Sequence, residues 1–123
     1  MGRSEFLGDD IMPTARKQLG QAIFNAAGTG VTVYTVPGAT IAVVKSLDIA
    51  NLTAVARPVR IHLVPNGVAA GTSNALFYDL EIPAYGALSW EGAQILDTAG
   101  DFIYAETNAN NAMTVTVSGI EET

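Results

Sequence analysis

The chain contains no cysteine among its 123 residues. Disulfide bonds, thiolate nucleophiles and cysteine-ligated metal sites are therefore excluded. Charged residues make up only 15% of the sequence, against about 25% in a typical soluble domain, whereas hydrophobic residues reach 49%. So little charge at this hydrophobic content argues against a disordered chain. It also indicates that part of the surface is covered by something other than water.

Basic residues are absent from the second half of the chain. All six Lys and Arg residues precede residue 61, whereas eight of the twelve acidic residues follow it, and the net charge is −6. Nucleic-acid-binding proteins normally carry a basic patch, so this composition disfavours that class. The asymmetry either marks an interaction surface or disappears because strands from both halves interleave in the fold.

Long apolar runs are absent as well. No segment approaches the roughly 18 residues that a membrane helix needs, and the N-terminus lacks the apolar core of a signal peptide. Residues 1–18 show no regular period and are predicted to form a flexible N-terminal arm. Residues 1–11 are either part of that arm or a leader added in cloning, with Met12 as the natural start. Residues 19–123 are predicted to form a single domain.

β-Strand signals dominate from Leu19 onward. Runs rich in β-branched and aromatic residues alternate with turn signals every 8–12 residues. The predicted strands cover residues 31–36, 40–50, 59–63, 76–82, 88–91, 95–96, 102–107 and 113–118. This spacing predicts an all-β fold, an antiparallel β-sandwich or jelly roll of about seven or eight short strands.

Lys45 interrupts the alternation of the second predicted strand. Ile41, Val43, Leu47 and Ile49 are predicted to share the buried face, and Lys45 falls on that same face. A bulge or a strand end at Lys45 would resolve the conflict.

Residues that could support catalysis are few. His62 is the only histidine. It shares the polar face of its predicted strand with Arg60, so it is predicted to lie at the surface or an interface. The nucleophile elbow, the phosphate loop and the dinucleotide-binding fingerprint are missing. Asp79 and Glu81 fall on one strand face, whereas a glycosidase opposes its two carboxylates across the substrate. The sequence therefore predicts no enzyme activity and no cofactor.

Two further motifs carry little weight. Asp97, Asp101 and the asparagine-rich turn at 108–111 offer oxygen ligands that calcium prefers, but the EF-hand spacing is missing and no metal is predicted. Asn51-Leu52-Thr53 matches the N-glycosylation sequon, which is uninformative without a signal peptide.

The aromatic residues leave two interpretations open. Tyr85 and Trp90, with Tyr78, would form a platform for a carbohydrate or receptor. Alternatively, Tyr78 lies in the core and Trp90 anchors the core or an interface, which we favour.

A series of strand and turn motifs extends from residue 19 to residue 117. The motifs are Leu19-Gly20-Gln21, Val33-Tyr34-Thr35-Val36-Pro37-Gly38, Ala42-Val43-Val44, Ile49-Ala50-Asn51, Arg60-Ile61, Tyr78-Asp79 and Ile82-Pro83-Ala84. In this order they resemble small proteins encoded among the virion structural genes of tailed bacteriophages. The chain departs from that pattern at Lys45, Asp48 and Trp90.

The resemblance implies a non-enzymatic virion component: a capsid decoration protein, a head-fibre base, or a tail or neck accessory. It implies a homo-oligomer, with a trimer favoured, that binds the major capsid or tail protein. The expected location is the virion, which is assembled in the host cytoplasm. Nucleic acid and membrane are not expected partners. The candidate contact residues are Arg16 and Lys17 in the arm, and Arg57 and Arg60 as a charged patch. The alternative function is a carbohydrate- or receptor-binding module that uses Tyr85 and Trp90.

Overall fold

The computed structural model describes residues 14–24 and 29–123. In these residues eight strands and one short 3-10 helix (Thr72–Asn74) form; the strands are β1 (Thr14–Ile23), β2 (Val31–Thr35), β3 (Ile41–Asn51), β4 (Arg57–Val64), β5 (Ala75–Ile82), β6 (Ala87–Leu96), β7 (Phe102–Thr107) and β8 (Met113–Glu122). No helix in the described part of the chain is long and apolar enough to cross a membrane. Residues 1–13 of the predicted arm lie outside the described residues.

The strands form two antiparallel four-stranded sheets. The first sheet has the order β1-β8-β3-β6 and the second the order β2-β7-β4-β5. Apart from β4 and β5, consecutive strands belong to different sheets, so the chain crosses between the sheets at almost every connection. This arrangement is a jelly roll. The predicted fold class is confirmed.

Aliphatic side chains from both sheets fill the interior. Burial alternates along β7 and β8 as it must when one face of each strand packs on the core. The largest fully buried apolar side chains are Phe24, Val44, Leu47, Ile49, Val59, Ile61, Val64, Ile82, Ile103, Met113 and Val115. The space between the sheets is therefore packed hydrophobic core.

Lys45 lies at a β-bulge, as predicted. The register of β3 shifts at this residue against both of its neighbouring strands. The bulge reverses the alternation, so Ala42 and Val44 are buried before it and Leu47 and Ile49 after it. The prediction that odd-numbered residues before Lys45 share the buried face was therefore wrong.

Residues 14–18 belong to a strand, although the sequence pattern assigned them to the arm. They form the first half of β1 and pair with the end of β8, with Arg16 opposite Ile120 and Lys17 opposite Gly119. β1 lies at a sheet edge, and its register shifts between Gln18 and Gly20. An exposed edge strand with a bulge shows no clean period of two, which explains why the sequence pattern did not reveal it.

The strand β6 is continuous, although the sequence predicted two short strands in its place. Two of its residues, Gly92 and Ala93, face the single bulged residue Lys45 of β3. The extra residue breaks the alternation of β6 while the strand pairing continues on both sides.

Gly20 allows the two sheets to approach closely along the β1–β2 side. β1 and β2 belong to different sheets, yet a Cβ atom on Gly20 would lie 2.1 Å from the carbonyl oxygen of Val33. Each strand carries its register shift at this point, at Leu19 in β1 and at Val33 in β2. Backbone therefore packs on backbone here, which a residue with a side chain would prevent.

This packing predicts that Gly20→Ala destabilises the fold. The added methyl group meets backbone rather than a flexible side chain, so we expect a loss of about 1–3 kcal/mol in the free energy of unfolding. Gly38→Ala is the matched control, because its Cβ atom would meet nothing within 4 Å. Urea denaturation followed by circular dichroism measures both variants. Equal stability of the two variants would contradict the proposed close approach.

Candidate interaction surfaces

A polar link joins the two sheets near the end of β8. The Tyr34 hydroxyl on β2 donates to Glu121 Oε2 at 2.5 Å, and Lys17 Nζ on β1 lies 3.0 Å from Glu121 Oε1. The Tyr34 hydrogen bond, followed by that of Lys17, holds the pKa of Glu121 below its usual range. Burial and the adjacent carboxylate raise the pKa of Tyr34. Lys17, a predicted contact residue, thus makes an ion pair within the fold.

Arg16 faces away from this link. Side chains alternate along a strand, so Arg16 and Lys17 point to opposite sides of β1. Arg16 is exposed and lies opposite Ile120 on the outer face of the first sheet. Both residues are exposed, but Arg16 makes no ion pair with another described residue, whereas Lys17 does.

Arg60 lies in a charged cluster on the outer face of the second sheet. Its Nε and Nη2 donate to Asp79 Oδ1 and Oδ2 at 2.7 and 3.2 Å, and Nη1 donates to Glu106 Oε1 at 3.4 Å. Its guanidinium carbon lies 4.1 Å from the Tyr78 ring centroid. The hydrogen bonds from Arg60 hold the pKa of Asp79 below its usual range. An exposed pair of this kind adds little stability but neutralises the acidic strand face.

Arg57 does not share a surface with Arg60. Its Nε donates to Thr53 Oγ1 at 2.9 Å, and its Nη1 donates to Asn108 Oδ1 at 3.3 Å. Residues three apart on a strand face opposite sides. The structure therefore separates the two arginines that the sequence combined into one patch.

His62 is buried, and the prediction that it lies at the surface or an interface was wrong. Only 2% of the residue is exposed, because the chain that follows β4 folds back over it. Its Nδ1 lies 3.0 Å from the Gly71 carbonyl, to which it donates, and 3.1 Å from Asn74 Oδ1. The rings of Tyr78 and Tyr104 flank the imidazole with centroids 6.4 and 6.3 Å away. His62 thus anchors a connection and contributes to an aromatic cluster.

Asn51 is a buried junction at the end of β3. Its Nδ2 lies within hydrogen-bond distance of the carbonyl oxygens of Val55, Ile82 and Pro83, at 2.8, 3.1 and 3.1 Å. Its Oδ1 accepts from the backbone N–H and the hydroxyl of Thr53, at 2.9 and 2.7 Å. The asparagine of the sequon is thus an internal connector, which fixes the loop after β3 to the turn after β5.

Three connections that the structure describes in full meet at this end of the sandwich, and we call them the loop tip: residues 52–56, 83–86 and 108–112. None of them contains an acidic or basic residue. Backbone hydrogen bonds join them: Leu52 N–H donates to the Ala112 carbonyl at 2.7 Å, and Tyr85 N–H donates to the Thr53 carbonyl at 2.9 Å. The loop tip is therefore an uncharged surface with a fixed backbone.

Large apolar side chains are exposed on the loop tip. The exposed fractions are 46% for Leu52, 51% for Val55 and 73% for Tyr85. Tyr85 also adopts a φ of 53°, a left-handed conformation that is costly for an aromatic residue. Such strain persists only where the surroundings enforce it, and it is frequent at functional sites. The sequence pattern singled out Tyr85 but gave no indication of the other two residues.

Tyr85 and Trp90 occupy different environments. Trp90 lies opposite Leu47 in the pairing of β6 with β3 and packs against the core, partly buried. No ring contact joins the two aromatic residues among the described residues. Tyr78 is 47% exposed beneath Arg60, so the interpretation that placed it in the core was wrong.

A shallow cleft of about 390 Å³ opens on the outer face of the second sheet. It is lined by Ala69, Ala70, Phe102, Tyr104 and Glu106. The two aromatic rings meet edge to face with centroids 6.4 Å apart. The sequence did not indicate this cleft, because its lining comes from β7 and a distant connection.

Asp101, considered above as a calcium ligand, has a structural role. It is buried, and its carboxylate accepts from the backbone N–H groups of Asn66 and Thr98 at 2.8 and 3.1 Å. These bonds tie together two connections at the end opposite the loop tip. Within the described ranges, no three His, Asp or Glu side chains cluster as a metal site would require.

Comparison with known proteins finds similarity in structure only. No family model and no curated protein matches the sequence. A protein of Bacillus endospore appendages, which form disulfide-linked pili, aligns with a TM-score of 0.54 and 12% identity over 91% of this chain and 89% of that chain. A capsid chain of cyanophage Pam1 aligns with a TM-score of 0.43 and 15% identity over 94% and 88%. A chain from virus-like particles of the extra small virus of the prawn Macrobrachium rosenbergii aligns with a TM-score of 0.47 and 9% identity over 89% and 78%.

The polar link predicts a specific sensitivity to acid. The folded pKa of Glu121 lies below the value of about 4.3 that a glutamate has when unfolded. Its contribution to stability is therefore present above that pH and is lost as the pH falls through the folded pKa. We expect the urea midpoint of the wild type to fall more steeply below about pH 4 than that of Glu121→Gln.

Glu122→Gln provides the control for this experiment. Its carboxylate has no ion-pair or hydrogen-bond partner in the part of the chain that the structure describes. The control variant should keep the wild-type pH profile. Identical profiles for all three proteins would show that the link contributes nothing.

Proposed function

We propose that this chain is a structural subunit of a tailed-bacteriophage particle, most specifically a capsid decoration or accessory protein that acts as an oligomer on the virion surface. The observation that carries the proposal is the jelly roll with its packed aliphatic interior. Jelly rolls serve in viral capsids, in lectins and in cupins. A cupin would need polar, metal-binding residues where this chain places Leu47, Val59, Ile61 and Ile103.

Two further observations support a structural role. The sequence resembles virion proteins of tailed phages over residues 19–117, and the protein of similar fold belongs to endospore appendages that form pili. The disulfide linkage named for those pili has no counterpart here, since the chain contains no cysteine. Any assembly of this chain therefore forms without disulfide bonds between its copies.

Of the four contact residues inferred from the sequence, Arg16 is the one that we keep as a proposed contact. Lys17, Arg57 and Arg60 use their charged groups within the fold. We keep Arg16 and the chain that precedes β1 as a proposed contact with the major capsid or tail protein. A truncation that tests it should stop before Thr14, because removal of residues 14–18 would delete half of β1.

Association with the particle is the decisive test. Virions of the phage that encodes this chain are purified on a density gradient, analysed by mass spectrometry and labelled with antibodies against the full chain. We expect many copies per virion and regular gold labelling on the head, with preimmune serum as the control. Labelling confined to the tail would replace the decoration assignment with a tail accessory. Absence from purified virions would contradict the proposal.

The cleft on the second sheet favours a second candidate, a carbohydrate-binding module. Its volume falls within the usual range of ligand sites, roughly 300–1,000 Å³. Phe102 and Tyr104 offer apolar ring surface for a sugar, and Glu106 offers a hydrogen-bond acceptor. This places the candidate site away from Tyr85 and Trp90.

A glycan array distinguishes the two possible carbohydrate sites. If the cleft binds sugar, Phe102→Leu should weaken binding while Tyr85→Ala leaves it unchanged, because Tyr85 is not part of the cleft lining. The opposite pattern would favour the platform that the sequence suggested. No binding by the wild type would remove the carbohydrate function altogether.

A further inference from the structure

The loop tip combines three properties that ordinary surface loops do not share. It exposes Leu52, Val55 and Tyr85, it contains no charged residue, and Asn51 fixes its backbone from below. Scattered exposed apolar residues are common, but apolar residues grouped on one rigid surface mark an interaction site. We infer that the loop tip binds the loop tips of other copies of this chain around a rotation axis. This inference rests on the proposed function and adds the partner and the contact surface.

Rigidity is the first argument for a binding role. Asn51 contacts backbone groups of both the 52–56 loop and the 83–86 turn, so neither connection moves independently. Tyr85 keeps its strained backbone because its N–H is bonded to Thr53. A surface already held in one conformation loses little entropy on association, which favours affinity.

The charge distribution favours contact between copies at the loop tip over contact elsewhere on the chain. Each chain carries a net charge of −6, so copies repel one another where acidic surfaces meet. The loop tip contains no acidic residue, so copies that meet there avoid that repulsion. The adjacent Arg57 donates hydrogen bonds to Thr53 and Asn108 within the same protein. A membrane surface would instead favour several exposed Lys or Arg residues around the apolar side chains, whereas Arg57 is the single cation next to these loops in the sequence.

Symmetry follows from the use of one surface by every copy. When the same loops of each copy meet at a rotation axis, the assembly closes and exposes no further apolar tip. Edge-to-edge strand pairing is a poorer route, because each of the four edge strands lies at a register shift. Bulges of this kind protect sheet edges from open-ended association.

The test is the solution mass of the full chain, measured by size-exclusion chromatography with light scattering at several concentrations. We expect a whole-number multiple of 12.8 kDa for the wild type. The triple variant Leu52→Ser, Val55→Ser and Tyr85→Ser should fall to the monomer mass, with an unchanged circular dichroism spectrum. The double variant Val68→Ser and Ile95→Ser is the matched control, because both residues are exposed apolar side chains outside the loop tip. It should keep the wild-type mass.

Three results would overturn the inference. These are a monomeric wild type at all concentrations, a triple variant that keeps the oligomer mass, and a control that loses it. Binding of the wild type, but not of the triple variant, to phosphatidylserine-containing vesicles would assign the loop tip to membranes instead. A monomer found on virions would refute this interface and leave the proposed function intact. An oligomer absent from virions would refute the proposed function and leave this interface intact.

Discussion

The packing of two sheets on one aliphatic core is the constraint on which the rest of this structure depends. The chain has no cysteine, and its described residues hold no cluster of metal-ligating side chains, so that packing depends on core contacts and hydrogen bonds. Two polar links join the sheets at opposite ends. Asn51 connects the end of β3 to the end of β5, and Tyr34 connects β2 to Glu121 on β8. Each places polar atoms at the boundary of the core, where their hydrogen bonds compensate for the loss of water.

The contacts that charged side chains make within the fold determine which surfaces remain available for binding. Most cations of the described residues are engaged within the fold: Lys17 by Glu121, Arg57 by the loop tip itself, and Arg60 by Asp79 and Glu106. Charged side chains committed in this way contribute little to a partner surface. The accessible features are instead the apolar loop tip and the aromatic cleft beside Tyr104.

Bulges explain both the success and the errors of sequence interpretation in the strands. Lys45 on an apolar face revealed the bulge in β3, because a buried lysine would be too costly. The same logic failed for the residues before it, since a bulge moves every preceding side chain to the other face. In β1 and β6 the bulges lie in edge strands with few buried residues, so no alternation remained to be recognised. His62 followed a polar alternation and was nevertheless buried, because the chain near Gly71 covers it.

The sequence by itself determined the all-β class, the extent of most strands, the absence of disulfide chemistry and the bulge at Lys45. These properties depend on local patterns: alternation, turn residues and composition. Only the tertiary structure decided which surfaces exist. Asn51 became a connector because Val55 and Ile82 lie within reach of its amide, and Arg57 and Arg60 separated because they face opposite sides of β4. The loop tip likewise unites segments more than twenty residues apart, a proximity that the crossing connections of the jelly roll create and that no local pattern encodes.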